Sequence, residues 1–279
     1  MKSEGINFFQ KYLTIWVALC MGLGVVIGKL FPAFPVFFNQ FQVAQVSIPV
    51  AILIWVMIYP MMMKVDFQSI KNVGKNPKGL YVTWVTNWVI KPFTMFGIAY
   101  FFFFVVFKAW IPESLGTDYL AGAILLGAAP CTAMVFVWST LTKGNPAYTV
   151  VQVATNDLII LVAFIPIVKF LLGVSSVSVP WDTLIYSVIL FVVIPLSAGI
   201  ATRYLVSRKK GITYFETSFL PKFDNATVIG LLLTLILLFS FQGVTILNNP
   251  FHILLIAITF TIQTFLILII DYYASKVLK

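Results

Sequence analysis

The sequence predicts an all-α, polytopic membrane bundle of eight spans, and three observations carry that prediction. Hydrophobic residues make up 61% of the 279 and charged residues only 10%, with a mean hydropathy of +1.01, a composition foreign to soluble domains. The apolar runs are continuous and do not alternate with the period of two that an outer-membrane barrel needs. Connections between them are short and free of Ser/Gly-rich or low-complexity tracts, so 1–279 reads as one membrane domain.

In chain order the runs fall at roughly 12–31, 46–63, 80–107, 119–141, 148–172, 183–206, 227–247 and 251–270, each long enough for a helix to cross about 30 Å of hydrocarbon. The first is followed by seven more, so it is a span and not a removable signal peptide. Span one holds "GLGVVIGKLF". Its glycines fit neither GxGxxG nor a phosphate loop in register, but Gly24 and Gly28 form a GxxxG pair that lets a neighbouring helix approach closely. Span three carries Thr83, Asn87, Lys91 and Thr94 along one helical face. Span four is interrupted by Ala129-Pro130-Cys131 about halfway along. Span five carries Thr149, Gln152 and Asn156 on one face, with Asp157 adjacent. His252, the single histidine, opens span eight, where an interfacial wetted helix end is the simple expectation.

The net charge of +9 is a statement about topology. The N-terminus, the loops after even-numbered spans and the C-terminal end hold 14 of the 18 basic residues: Lys2, Lys11, Lys64, Lys71, Lys75, Lys78, Lys143, Arg203, Arg208, Lys209, Lys210, Lys222, Lys276 and Lys279. Lys29, Lys108 and Lys169 border the other side, and Lys91 lies within a span. The positive-inside rule then puts the N-terminus in the cytoplasm, in a multi-pass protein of the cytoplasmic membrane. The lipid bilayer is the partner this charge addresses, with anionic lipid as a lesser use, and no nucleic acid is implied. Cys20 and Cys131 sit in different spans without CxxC spacing, so neither a disulfide framework, a metal site nor a cofactor is signalled.

Pro130 has no N–H, and its ring clashes with the carbonyl of Leu126, so the helix must kink or unwind there. In a membrane such a break is tolerated only where the freed groups face protein or a water-filled cavity. Broken helices at the midplane are where secondary transporters hold their substrate. A second half-helix starting at Cys131 would direct its N-terminal dipole at the thiol and favour the thiolate. Pro130, Cys131, Thr132, Asn87 and Asn156 are therefore the expected lining of a polar cavity among spans three, four and five. Lys91 and Asp157 lie at comparable depth. Charges so deep pair with each other or line a substrate path, so the two form either a static strut or part of the coupling machinery.

The same residues carry a resemblance. "GAAPCTAMVFVWSTLTKGNPAYTVVQVATNDLIILVAFIP", "MIYPMMMKVDF", "NWVIKPF" and "LLFSFQG" resemble the arsenite efflux permeases of the bile-acid/sodium symporter-like superfamily, over essentially the whole chain. The resemblance implies a transporter of ten spans in two inverted five-helix repeats. It expels As(III), with Sb(III) as a second substrate, in exchange for protons, and its required thiol falls on Cys131. Residues 1–172 would form the first repeat and 183–279 part of the second, with the ninth and tenth spans beyond Lys279. The chemistry fits independently. Arsenite at neutral pH is the uncharged As(OH)3, which offers no charge to hold, and a soft thiolate suits a thiophilic centre. One such ligand gives selectivity without the trapping expected of three.

Two other classes compete. A sodium-coupled organic-anion symporter shares the architecture, but it would place oxygen ligands where Cys131 stands. An intramembrane enzyme using Cys131 and Asp157 has no histidine inside any span to act as base, so no catalytic residue is expected.

Overall fold

The computed structural model describes residues 12–43, 46–64, 77–130, 135, 138–139, 142–174, 185–186 and 188–277. The chain order is helix α1 (Leu13–Leu30), short α2 (Ala33–Asn39), a two-residue antiparallel pair β1 (Gln42–Val43) and β2 (Val46–Ser47), then α3 (Ile48–Met63), α4 (Lys78–Val106) and α5 (Glu113–Ala128). It continues with α6 (Pro146–Val174), α7 (Ile189–Lys210), α8 (Asp224–Asn248) and α9 (Pro250–Val277). Over its described residues each expected span overlaps one of these helices, and the protein is a polytopic membrane helical bundle. Among the described residues six helices are long and apolar enough to cross a bilayer. Span two, α3, is a shorter apolar helix, and α5 stops at Ala128 where span four was expected to break. Large apolar side chains such as Leu19, Val162, Phe265 and Leu268 are exposed, as lipid-facing positions must be.

Helices α4 and α7 share a local device. In α4 a π-helical turn, Thr86–Ile90, precedes the α-helical stretch Lys91–Phe101, whose second residue is Pro92. In α7 a π turn, Ile189–Val193, precedes Ile194–Lys210, whose second residue is Pro195. Proline cannot donate to the carbonyl four residues back and crowds it, and a widened turn accommodates the ring without ending the helix.

The chain divides into two compact units. The first comprises residues 1–65, 132–150 and 189–249, and so holds α1, α3, α7 and α8. Here α1 lies directly on α8. A Cβ on Gly24 would stand 2.6 Å from the Ile236 carbonyl oxygen, one on Gly28 would collide with the Ser240 carbonyl, and one on Gly243 would approach the Val25 carbonyl at 2.9 Å. The GxxxG pair is thus a backbone-to-backbone contact, as its spacing predicts. Helix α3 is tied to α7 by Tyr59 Oη and Thr202 Oγ1 at 2.7 Å and by Trp55 Nε1 donating to the Leu190 carbonyl at 2.9 Å.

The second unit comprises residues 66–131, 151–188 and 250–279, and so holds α4, α5, most of α6 and α9. Its apolar core joins Met95, Ala99 and Phe103 of α4, Leu120, Ala123, Ile124 and Ala128 of α5, Val168, Leu171 and Leu172 of α6, and Leu255 of α9. At one end Tyr119 Oη meets His252 Nδ1 at 2.9 Å, with the two rings edge to face. His252 is therefore a partner of α5 and more than a wetted helix end.

Candidate functional site

The break in span four is a property of one dipeptide. Proline disfavours α-helical geometry at the residue before it and pushes that residue to extended backbone, and Ala129 adopts φ −107°, ψ 135°. Helix α5 ends there, ten residues beyond Asp118, the last charged residue on it. That is about 15 Å of helix, half the hydrocarbon thickness. The end leaves carbonyls without intrahelical partners in a region where water cannot replace them. Lys91 Nζ donates to the Ala129 carbonyl oxygen at 2.7 Å. A cation at the negative end of a half-helix is favourable through the dipole by about 0.3–1 kcal/mol, up to ~2 kcal/mol when partly buried, and a charged donor makes the stronger kind of hydrogen bond.

Lys91 is delivered to this position by the π turn, whose widened ring is closed by its own N–H to the Thr86 carbonyl. The same turn presents Asn87 and Trp88 together. Trp88 Nε1 donates to Asn156 Oδ1 at 2.9 Å, and Asn87 Nδ2 reaches the same oxygen at 3.4 Å. Asn156 Nδ2 donates back to the Gln152 carbonyl at 2.9 Å, while Gln152 Nε2 donates to Thr83 Oγ1 at 2.8 Å. Trp84 Nε1 donates to Thr155 Oγ1 at 3.2 Å. The polar stripes of spans three and five therefore meet each other, and Asn156, 4% exposed, is the node. Thr149 stands apart from that ladder and meets Ser139 Oγ at 2.6 Å.

A third helix completes the cluster. Gln263 of α9 donates through Nε2 to Thr94 Oγ1 at 3.0 Å and to the Lys91 carbonyl at 3.2 Å. Its Oε1 is buried without a hydrogen-bond partner, a costly state for an amide oxygen that calls for a polar neighbour. Asp157 is 4% exposed on α6, with no hydrogen bond or ion pair to another described residue. Pro130 is half-buried at the break. Cys131 and Thr132 lie outside the described residues. Trp84, Trp88 and Gln263 were not singled out from the sequence. The signal for Gln263 was present, since an amide inside an apolar span demands a partner; for the tryptophans the ring hid a donor that must be satisfied once buried.

Chemically, the described cluster is a set of hydrogen-bond donors and acceptors around a helix end, with one cation.

The chain resembles known proteins over its whole length. The chain is 62% identical over 278 residues, all of this chain and 78% of the relative, to the arsenical-resistance protein Acr3 of Alkaliphilus metalliredigens. It is 44% identical to an uncharacterized transporter of Synechocystis, again over all of this chain and over 76% of the relative. It is 32% identical, over 99% of this chain and 74% of the relative, to the arsenical-resistance protein Acr3 of Corynebacterium glutamicum. The profile of the sodium bile acid symporter family matches residues 51–249. With the match covering most of the chain and relatives of this identity, the chain belongs to the sodium bile acid symporter family.

Proposed function

We propose that this protein exports arsenite, As(OH)3, across the cytoplasmic membrane in exchange for protons, with Sb(III) as a second substrate and with its N-terminus in the cytoplasm. The carrying observation is the end of α5 at Ala129, held by the Lys91 ammonium, with the half-buried amide of Asn87 set against the buried amide of Asn156. It supports a site for a small polar solute directly before the cysteine at position 131. The name borne by two relatives, arsenical-resistance protein, supports the choice of solute. Cys131 supplies the thiolate for the thiophilic centre, and Pro130 and Thr132 flank it. Asn87 and Asn156 offer the amides that hydroxyl groups can bond. Lys91 and Asp157 divide the remaining work: the ammonium braces the broken helix, and the carboxylate carries the exchanged proton. The As–S bond formed by the thiolate displaces one hydroxide and is reversed by hydroxide on release, so the solute leaves chemically unchanged and the protein acts as a permease and not as an enzyme.

The test is As(III) accumulation in cells that lack other arsenite exporters and express the full-length protein. Wild type should keep cellular arsenic low, Cys131→Ser should let it rise to the level of cells without the protein, and Cys20→Ser should match wild type. Equal loss in both variants at equal membrane abundance would reject the thiol site. The family name also raises sodium-coupled uptake of an organic anion. Efflux abolished by replacing sodium, but insensitive to a collapsed proton gradient, would favour that coupling instead.

A further inference from the structure

The turn between α7 and α8 holds a second feature that the transport site does not use. Helix α7 ends in Arg208-Lys209-Lys210, and Gly211, with φ +87°, turns the chain away. The segment from Ile212 to Phe223 then returns as short helical turns to the start of α8. Between α7 and this return lies a cavity of about 300 Å³. Three lysines line it, Lys209, Lys210 and Lys222, and its remaining walls are Leu205, Val206, Phe219 and the ring of Tyr214. No carboxylate is among the lining residues.

The cavity is preformed. Phe215 is fully buried and stacks with Phe219 at 5.8 Å, which in turn packs on Phe223 at 5.4 Å. Arg203 lies over the Phe215 ring at 5.3 Å and bridges to Glu216 at 3.2 Å, so the acid of this turn is engaged. Lys210 rests over the Tyr214 ring at 4.8 Å, which holds one ammonium in place on the cavity wall. Such a pocket concentrates positive charge at fixed positions. Like charges gathered with no acid among them repel, which disfavours leaving them without an anion.

The apolar wall decides what kind of anion. Leu205, which lines the pocket, is 54% exposed, so the mouth of the pocket continues into surface suited to hydrocarbon, while the neighbouring Tyr204 ring is taken by the Arg208 guanidinium at 6.0 Å. A soluble phosphate would meet only the lysines, whereas an amphiphile meets both. Basic pockets between membrane helices on the side richer in Lys and Arg are suited to acidic headgroups.

We propose that Lys209, Lys210 and Lys222 form a binding site for the phosphate of an anionic phospholipid, with its acyl chains leaving along the exposed side of α7 at Leu205. This lipid site does not depend on what the protein transports.

Native mass spectrometry of the purified full-length protein, titrated with phosphatidylglycerol, phosphatidylcholine or inorganic phosphate, tests the assignment. Phosphatidylglycerol should bind at one saturable site and phosphatidylcholine should not. Each lysine near an anionic group is worth about fivefold in affinity, so the Lys209→Gln/Lys210→Gln/Lys222→Gln variant should lose on the order of 100-fold. Lys276→Gln, an exposed charge on the same expected side, should stay within about twofold. Should the triple variant fold poorly, Lys222→Gln alone should lose about fivefold with unchanged melting. Unchanged phosphatidylglycerol affinity in a folded lysine variant would overturn the site, as would an equal loss in Lys276→Gln. Saturation by inorganic phosphate without phosphatidylglycerol binding would overturn the lipid assignment.

Discussion

Lys91 and Ala129 are joined across two helices: the ammonium of α4 donates to the carbonyl at the broken end of α5 at 2.7 Å. The break and the charge within span three, separate puzzles in the sequence, are one arrangement. Its consequence for mutation is specific. Lys91→Met should remove the charged donor and leave a half-buried carbonyl without it, at a cost of about 1–3 kcal/mol. We expect a fall of several degrees in the melting temperature of the purified protein, together with loss of As(III) efflux. Normal melting would mean that the bond to Ala129 contributes little to the fold.

Asp157 should behave differently. Its carboxylate is buried without a described partner, so Asp157→Asn removes a desolvation cost and should leave melting unchanged or slightly raised. Efflux driven by a proton gradient should nevertheless be lost. A double-mutant cycle with Lys91→Met sets the alternative: coupling of about 3 kcal/mol or more in stability would make the two a buried ion pair, whereas the arrangement described above gives near-additive effects.

Gln263 links α9 to the same point of α4 through Thr94 and the Lys91 carbonyl. Gln263→Leu should cost about 1 kcal/mol in stability and slow efflux, while Thr261→Val, on an exposed face of α9, should do neither. Identical efflux rates in the two variants would remove Gln263 from the site.

Helix contact between α1 and α8 is testable through two neighbouring glycines. Gly28→Ala places a methyl group against the Ser240 backbone carbonyl, whereas a methyl at Gly22 meets nothing within 4 Å. Gly28→Ala should therefore destabilise by about 1–3 kcal/mol, and Gly22→Ala should be neutral or stabilising by up to ~1 kcal/mol. Fluorescence size-exclusion profiles after graded heating distinguish the two directly.

Orientation rests on the placement of 14 of 18 basic residues. In a background lacking Cys20 and Cys131, Lys209→Cys should react with an impermeant thiol reagent only after the membrane is opened, and Lys108→Cys should react in intact cells. Both positions are exposed. The reverse pattern would invert the topology.

What the sequence determined on its own was whatever depends on solvent or on covalent geometry. Continuous apolar runs in a medium without water leave helices as the solution, so the helical bundle and the order of its helices were legible in the sequence. Pro130 lacks an N–H and bars α-helical backbone at Ala129, so the break was legible to within a residue or two. The matching polar faces of spans three and five followed from helical spacing. Partners were another matter. Lys91 and Ala129 are 38 residues apart, Tyr119 and His252 133, and Lys91 and Gln263 172. Which of several polar groups at similar depth a side chain meets is set by the rotation and crossing of packed helices, here by glycines that bring backbones together and by a π turn that re-aims a side chain. Those choices sum over contacts distant in sequence, and only the tertiary structure decided that the half-buried ammonium of Lys91 would hold a helix end.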